Sequence, residues 1–402
     1  MEMSAERVLL EVFLMFAAAK LAGEVFERLR QPPVIGELLV GVALGPHALG
    51  LIGHTQVHEV LQELGAIVLL FMVGLDTGLA AIRKVGGRAL GVGTGGIVLP
   101  FLTGLAFIYA IDGSLDEAMF VGAAMVATSV GITARVLSDL NVIEAVESRV
   151  ILAAAVVDDV LGLLVLAAVS GLSQGDMSVV GLLALALGAT AFVVLVAVFG
   201  NRLVRVAIPH VDGARIPRGP LVFALAACLG LSALAGVIGL AAIIGAFLAG
   251  MAFADLPRGW RLEEQVDPVY QLLVPFFFVV TGSLVDLGAL AEPSSLGMVA
   301  GITALAVAGK VIGCGGAAWG MGRRSAAIVA AGMVPRGEVG VIVATVGLAR
   351  EVITTELYGV IVAMSIITTL IAPPFLKALF RPGAPRSRDG TGRTEDIEGI
   401  GG

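Results

Sequence analysis

Ala155-Val156-Val157-Asp158-Asp159-Val160-Leu161 sets two adjacent carboxylates near the middle of an apolar stretch running from 147 to 171. About 20 apolar residues cross a bilayer as a helix, so on that ruler both acids fall at mid-membrane depth. An ionisable group at that depth costs about 2.5 to 3.5 kcal/mol on insertion scales and persists where it pairs or faces water. Two like charges this close resist joint ionisation. Reluctance to lose both protons at once is the property a proton-coupled carrier needs.

The same ruler, moved outward along the chain, finds thirteen runs: 8–27, 33–51, 57–76, 87–111, 115–138, 147–171, 178–203, 218–235, 238–254, 266–285, 294–320, 324–348 and 355–380. The expected fold is therefore an all-α polytopic membrane protein with about 13 transmembrane helices. Two short pairs, around 33–76 and 218–254, are open to a partly re-entrant reading. Composition agrees: 58% of the 402 residues are hydrophobic and 14% charged, against about 25% charged in a soluble domain. The 54 glycines show no Gly-X-Y period. They suit helices packed closely in lipid.

Basic residues sort by side. Arg28 and Arg30, the group Arg83, Lys84 and Arg88, then Arg149, the group Arg202 to Arg218, the pair Arg258 and Arg261, the pair Arg323 and Arg324, and the stretch after Lys377 fall on one face, leaving Arg7 and Arg350 on the other. Positive charge marks the cytoplasmic face, so the N-terminus is expected outside and the C-terminus inside an inner membrane. The first seven residues lack a basic signal region. Residues 381–402 read as a disordered cytoplasmic tail. Neither a nucleic-acid partner nor a cofactor is expected, and no catalytic set appears. Cys228 and Cys314 lie in apolar runs with no CxxC spacing, so packing is their reading.

A repeat organises the runs. The fifth contains the polar break Ala127-Thr128-Ser129-Val130-Gly131-Ile132-Thr133, and the twelfth contains Val334-Pro335-Arg336-Gly337-Glu338-Val339-Gly340. Seven is odd, so these two helices run in opposite directions, as in the inverted repeats common among transporters. The transmembrane domain, 1–380, is thus expected to divide into a first half at 1–171, a linker at 178–203 and a second half at 218–380. Pro335 removes a backbone donor, and Gly337 and Gly131 loosen the ladder. Backbone groups freed in this way are tolerated where protein or a cavity surrounds them. Arg336 and Glu338 are placed to compensate the half-helix ends, while Thr128 and Ser129 offer hydroxyl ligands.

Neighbouring helical residues point about 100° apart, so Asp158 and Asp159 cannot both address one partner. Lys310, centred in Ala306-Val307-Ala308-Gly309-Lys310-Val311-Ile312-Gly313, is the expected counter-charge for one of them. Glu37 in the second run is a candidate for a cytoplasmic funnel, with packing as the equal alternative. Lys20 and Glu24 are spaced as an i,i+4 pair, or to meet a dimer partner. His47, His54 and His58 cluster at the outer end of the second run and read as solvated loop residues, with pH sensing as the alternative, and Asp76 and Arg135 read as local caps or pairs.

These residues resemble the cation:proton antiporter superfamily, in the branch holding bacterial sodium/proton antiporters and Kef-type potassium efflux systems. The likeness covers nearly the whole chain through Gln31-Pro32-Pro33-Val34-Ile35-Gly36-Glu37-Leu38, Gly41-Val42-Ala43-Leu44-Gly45-Pro46, Phe71-Met72-Val73-Gly74-Leu75-Asp76, Thr128-Ser129 through Arg135, Asp158-Asp159, Lys310, and Met333-Val334-Pro335-Arg336-Gly337-Glu338. The resemblance implies a core with two crossed, partly unwound helices moving against a dimerisation domain. It implies that Asp159 binds Na+ with Asp158 close by, that Asp158 pairs with Lys310, and that cation and protons compete for the two carboxylates. Two aspartates with the lysine is the electrogenic pattern of the family. The alternative it leaves open is a potassium/proton antiporter or potassium efflux channel with a separate regulatory subunit. Na+, Li+ or K+, protons, lipid and a second copy of the chain are the partners expected.

Overall fold

A computed structural model describes residues 5–29, 31–53, 55–77, 79–173, 179–213, 217–254, 260–284 and 293–380. The tail at 381–402 and His54 lie outside the described residues. Among those described, the regular elements are helical: α1 (Ala5–Arg28), α2 (Pro33–Leu44), α3 (Gln56–Thr77), α4 (Leu79–Asp112), α5 (Leu115–Ala124), α6 (Val130–Asp139), α7 (Val146–Ser173), α8 (Val179–Gly213), α9 (Gly219–Ile238), α10 (Ala242–Phe253), α11 (Leu262–Ser283), α12 (Pro293–Ala317), α13 (Arg323–Gly332), α14 (Glu338–Ala349) and α15 (Thr355–Phe380). Eight of the described helices are long and apolar enough to cross a membrane.

The thirteen runs correspond one to one to helical segments once α5 with α6, and α13 with α14, are each counted as one interrupted helix. Local chemistry sets the ends. Ser114 caps α5 by accepting from the Glu117 amide at 3.3 Å, satisfying one of the four donors a helix start leaves open. Pro33 opens α2 at a position where a missing amide costs nothing. Short helices occur in both suspect pairs: α2 and α10 have 12 residues each, while α3 and α9 are full length with 22 and 20.

Packing repeats with an offset of seven segments. The α1·α2 pairing has its counterpart in α9·α10, α2·α11 in α10·α3, and α4·α7 in α12·α15, while α4·α12 maps onto itself. Glycine makes the crossings close. A side chain at Gly41 would run into the Val279 carbonyl and Gly282, one at Gly74 into the Phe247 carbonyl and Gly250, and one at Gly95 into the Gly313 carbonyl. In lipid, where no hydrophobic force drives helices together, such backbone-to-backbone approach is the main source of association.

Candidate cation site

α7 is held tight against α4 where its acids lie, because Gly93 of α4 sits under Ala154 and Val157. The next layer is α12. Gly95 and Gly96 of α4 face Gly313, Cys314 and Lys310. With only hydrogen on Gly96, the Lys310 side chain passes over α4 and reaches α7, and its Nζ donates to Asp158 Oδ1 at 2.9 Å. Both side chains in that pair are completely enclosed. Cys314, one turn beyond Lys310, donates to the Val92 carbonyl at 3.5 Å, which fits its expected packing role.

Asp158 uses only half of its carboxylate. Its Oδ2 is buried and has no hydrogen-bond partner. Asp159, on the adjoining side of the helix, is 7% exposed. One turn past Asp158, a methyl added at Gly162 would stand 3.8 Å from Val126 of the first break, so this part of α7 packs against that break.

That crossing is tied by direct backbone contact. The α5/α6 break spans residues 125–129 and the α13/α14 break 333–337. The Ser129 amide donates to the Pro335 carbonyl at 2.8 Å, and Thr133 Oγ1 donates to the Gly332 carbonyl at 2.7 Å. Arg336 answers the C-terminal end of α5. Its Nη1 donates to Val126 O at 3.1 Å and Ala127 O at 2.7 Å, and Nη2 donates to Ala306 O on α12 at 3.1 Å. A guanidinium, with five fixed donors and a permanent charge, suits an exposed row of carbonyls at the negative end of a half-helix. Thr369 of α15 donates to the Arg336 carbonyl at 2.5 Å.

Two hydroxyls complete the surroundings. Thr128 Oγ1 and Ser129 Oγ are buried without hydrogen-bond partners. An unpartnered buried polar atom costs about 1 to 3 kcal/mol, so Thr128 Oγ1, Ser129 Oγ and Asp158 Oδ2 are three buried oxygens that still lack a contact. The open donor set is all oxygen, as hard cations prefer. Among the described residues no cluster of three or more His, Cys, Asp or Glu could hold a metal ion.

The other expected residues are distributed as follows. The Glu338 side chain lies outside the described residues. Glu37 is 2% exposed and belongs to a separate cluster, with its Oε1 3.7 Å from Arg135 Nη2. Arg135 is more than a local cap: it pairs with Asp139 at 3.0 Å, one turn on, and its Nη1 donates to Tyr270 Oη of α11 at 3.0 Å. Lys20 and Glu24 do not pair with each other. Lys20 donates to Gln271 at 3.0 Å and Glu24 accepts from Arg28 at 2.8 Å, because α11 stands beside Lys20 and Arg28 is the next basic group along α1. His58 is no loop residue: it is 1% exposed, with Nδ1 2.7 Å from the Gly53 carbonyl and Nε2 3.3 Å from Glu11. Gly96 and Thr369 are not among the expected site residues. A signal for Gly96 existed in the glycine-dense stretch Gly91-Val92-Gly93-Thr94-Gly95-Gly96; for Thr369 there was none.

Residues 13–381 match the family model described as sodium/hydrogen exchanger, transmembrane. A high-affinity Na+/H+ antiporter from Synechocystis, NhaS3, is 34% identical, with 93% of this chain and 90% of the relative aligned. A Na+/H+-K+ antiporter from Bacillus cereus, GerN, is 35% identical over 92% of this chain and 95% of its own. Among solved structures, the sodium proton antiporter MjNhaP1 of Methanocaldococcus jannaschii superposes with a TM-score of 0.67 at 18% identity, covering 92% of this chain and 97% of that one.

Proposed function

Because this chain belongs to the sodium/hydrogen exchanger transmembrane family, we propose that it exchanges a monovalent cation, sodium first, for protons, with both competing for Asp158 and Asp159. One observation carries the reading: the two acids adjoin on α7, one tied to Lys310, and α7 packs beside a helix break whose Thr128 and Ser129 hydroxyls are buried and open. The names of its relatives, Na+/H+ antiporters at about a third identity over most of both chains, support it.

In this mechanism Asp159 is the exchanging carboxylate. Deprotonated, it takes the cation together with Thr128 and Ser129 oxygens; protonated, it releases it. Asp158 and Lys310 form a neutral pair while joined. When the cation draws Asp158 Oδ2 into its shell, the lysine is left without its counter-charge and gives up a proton more readily. Two protons then leave for each cation bound, and exchange is electrogenic. Arg336 serves the crossing by holding the α5 carbonyls in place, so that the site keeps its shape as the carboxylates change charge.

Alternating access follows from the division of the helices. Residues 1–171 and 218–380 act as inverted halves, a reading that the seven-segment offset in the packing supports. α4 to α7 with α12 to α15 form the moving core; α1 to α3 with α9 to α11 form a scaffold that pairs with a second copy in the cell's inner membrane, N-terminus outside. The test is proton movement in vesicles driven by Na+, Li+ or K+ with the membrane potential clamped and unclamped. Sodium-driven movement that changes with potential supports the reading, and none with any cation refutes it. A second reading, potassium as the exchanged ion, is favoured by the Na+/H+-K+ name of one relative, and the potassium arm decides it.

A further inference from the structure

Glu37, Arg135, Tyr270 and Asp139 form a buried charged cluster that the cation site does not use. Arg135 is 8% exposed and Glu37 2%. The three elements that supply the cluster belong to different bodies in the reading above: Arg135 and Asp139 ride on α6 in the core, while Glu37 is on α2 and Tyr270 on α11 in the scaffold. Arg135 therefore spans the surface across which the two bodies must slide.

Its three contacts are unequal. Within α6 the guanidinium holds Asp139 at 3.0 Å, one helical turn away. Across the boundary it donates to Tyr270 Oη at 3.0 Å and lies 5.3 Å from the centre of the same ring. It approaches Glu37 at 3.7 Å without a hydrogen bond, and Glu37 Oε2 is left with no partner. On the scaffold side Lys20 donates to Gln271 at 3.0 Å, Gln271 in turn donates to Asp267 at 3.4 Å, and Glu27 of α1 adds a negative charge near Asp139. Stripping a buried charge of its partner is strongly unfavourable and would freeze the boundary if Glu37 were the only counter-ion. Asp139 removes that obstacle, because it travels with Arg135 and keeps it paired when the scaffold contacts break.

The contact surface around the cluster is built to slide. Gly131 of α6 presents bare backbone to the Phe277 ring of α11. Leu38, next to Glu37, lines a cavity with scaffold residues Val42 and Gly282 on one wall and core residues Gly337, Val341 and Ser365 on the other. The cluster lies at the end of this boundary that the basic loops assign to the cytoplasm.

We propose that Arg135 is a reversible lock: its contacts with Glu37 and Tyr270 hold the cytoplasmic side of the pathway shut, and they must part before the cation site opens inward. The proposal rests on the antiport reading for its purpose, but its test does not need transport. Leu38→Cys serves as reporter, and its labelling by a membrane-impermeant maleimide is timed from each face in right-side-out and everted vesicles. The native thiols of Cys228 and Cys314 are buried, and protein without the reporter gives their background.

Removing the lock by Glu37→Gln or by Arg135→Gln should speed labelling from the cytoplasmic face by about tenfold, inside the usual range of conformational coupling, and slow it from the outer face. Arg135→Lys, which keeps the charge and loses the fork, should fall between. Opposite changes on the two faces cannot come from a loosened fold, which would speed both. A rise at the outer face alone, at both faces or at neither overturns the proposal. Cation-driven proton movement by the unmodified protein, measured in the same vesicles, separates the two claims: its absence refutes antiport, while unchanged labelling refutes the lock.

Discussion

Lys310 Nζ lies 2.9 Å from Asp158 Oδ1 with both side chains fully enclosed, and it gets there by crossing α4 at Gly96. The pair joins α12 to α7 through a helix that contributes no charge of its own to the contact. Stability and transport are therefore coupled at one bond.

Lys310→Ala should expose that coupling. Leaving Asp158 buried without its counter-charge costs about 3 to 5 kcal/mol, which thermal unfolding of the detergent-solubilised protein would register as a large drop in midpoint. Asp158→Asn added to Lys310→Ala should recover much of the loss, because the uncompensated charge is gone. A double variant no more stable than the single one would mean the pair is not a closed unit.

Gly96→Ala tests the crossing. A methyl there would sit 2.6 Å from Cys314 Sγ, closer than atoms tolerate, and a tight 3.1 Å from Lys310 Nζ, and overpacking of this kind costs about 1 to 3 kcal/mol. Antiport should fall with it. Adding Cys314→Ala makes room on the sulfur side and should restore stability and part of the activity, read by the same melt and by vesicle exchange.

Arg336→Gln should be more damaging than its conservative look suggests. Three carbonyls, Val126, Ala127 and Ala306, lose the guanidinium at once; Ala306 keeps its helical amide inside α12, but Val126 and Ala127 lie in the break, and each orphaned buried acceptor costs about 1 to 3 kcal/mol. Lys at the same position keeps the charge but cannot reach two helices with one ammonium. Both variants should show poor thermal stability, with Arg336→Lys the milder.

Much of this fold could be read directly. Apolar runs of about 20 residues translate into helices because a helix satisfies every backbone polar group within its own segment in the bilayer, and the two breaks stand out because Pro335 and the surrounding polar residues interrupt otherwise apolar stretches. Asp158 and Lys310 drew attention for the same reason, being costly where they stand. A local cap or pair is the sequence reading of Arg135, and a local pair, with Asp139 one turn on, exists; its reach to Glu37 and Tyr270 is set by how α6 lies against α2 and α11, which no spacing within one helix encodes. His58 departs from the loop expectation for a related reason. Its burial against Glu11 and the Gly53 carbonyl depends on where α1 and the α2–α3 loop settle. Helix-crossing glycines such as Gly41 and Gly313 look the same in sequence as glycines that touch nothing.

If cation and proton compete for one site, the apparent affinity for the cation must fall as the pH falls while the maximal rate at saturating cation changes little. Titrating sodium-driven proton movement at a series of pH values should give lines that differ in half-saturation and converge at high sodium. A half-saturation that stays constant across pH would place the proton elsewhere.

The most direct test is Asp159→Asn, reconstituted in vesicles with the potential clamped and sodium-driven proton movement recorded beside the unmodified protein at matched amounts of folded protein. The account predicts that exchange disappears while the thermal midpoint is kept or raised, since a neutral amide replaces a buried acid. Sodium-driven proton movement that survives in Asp159→Asn would contradict it.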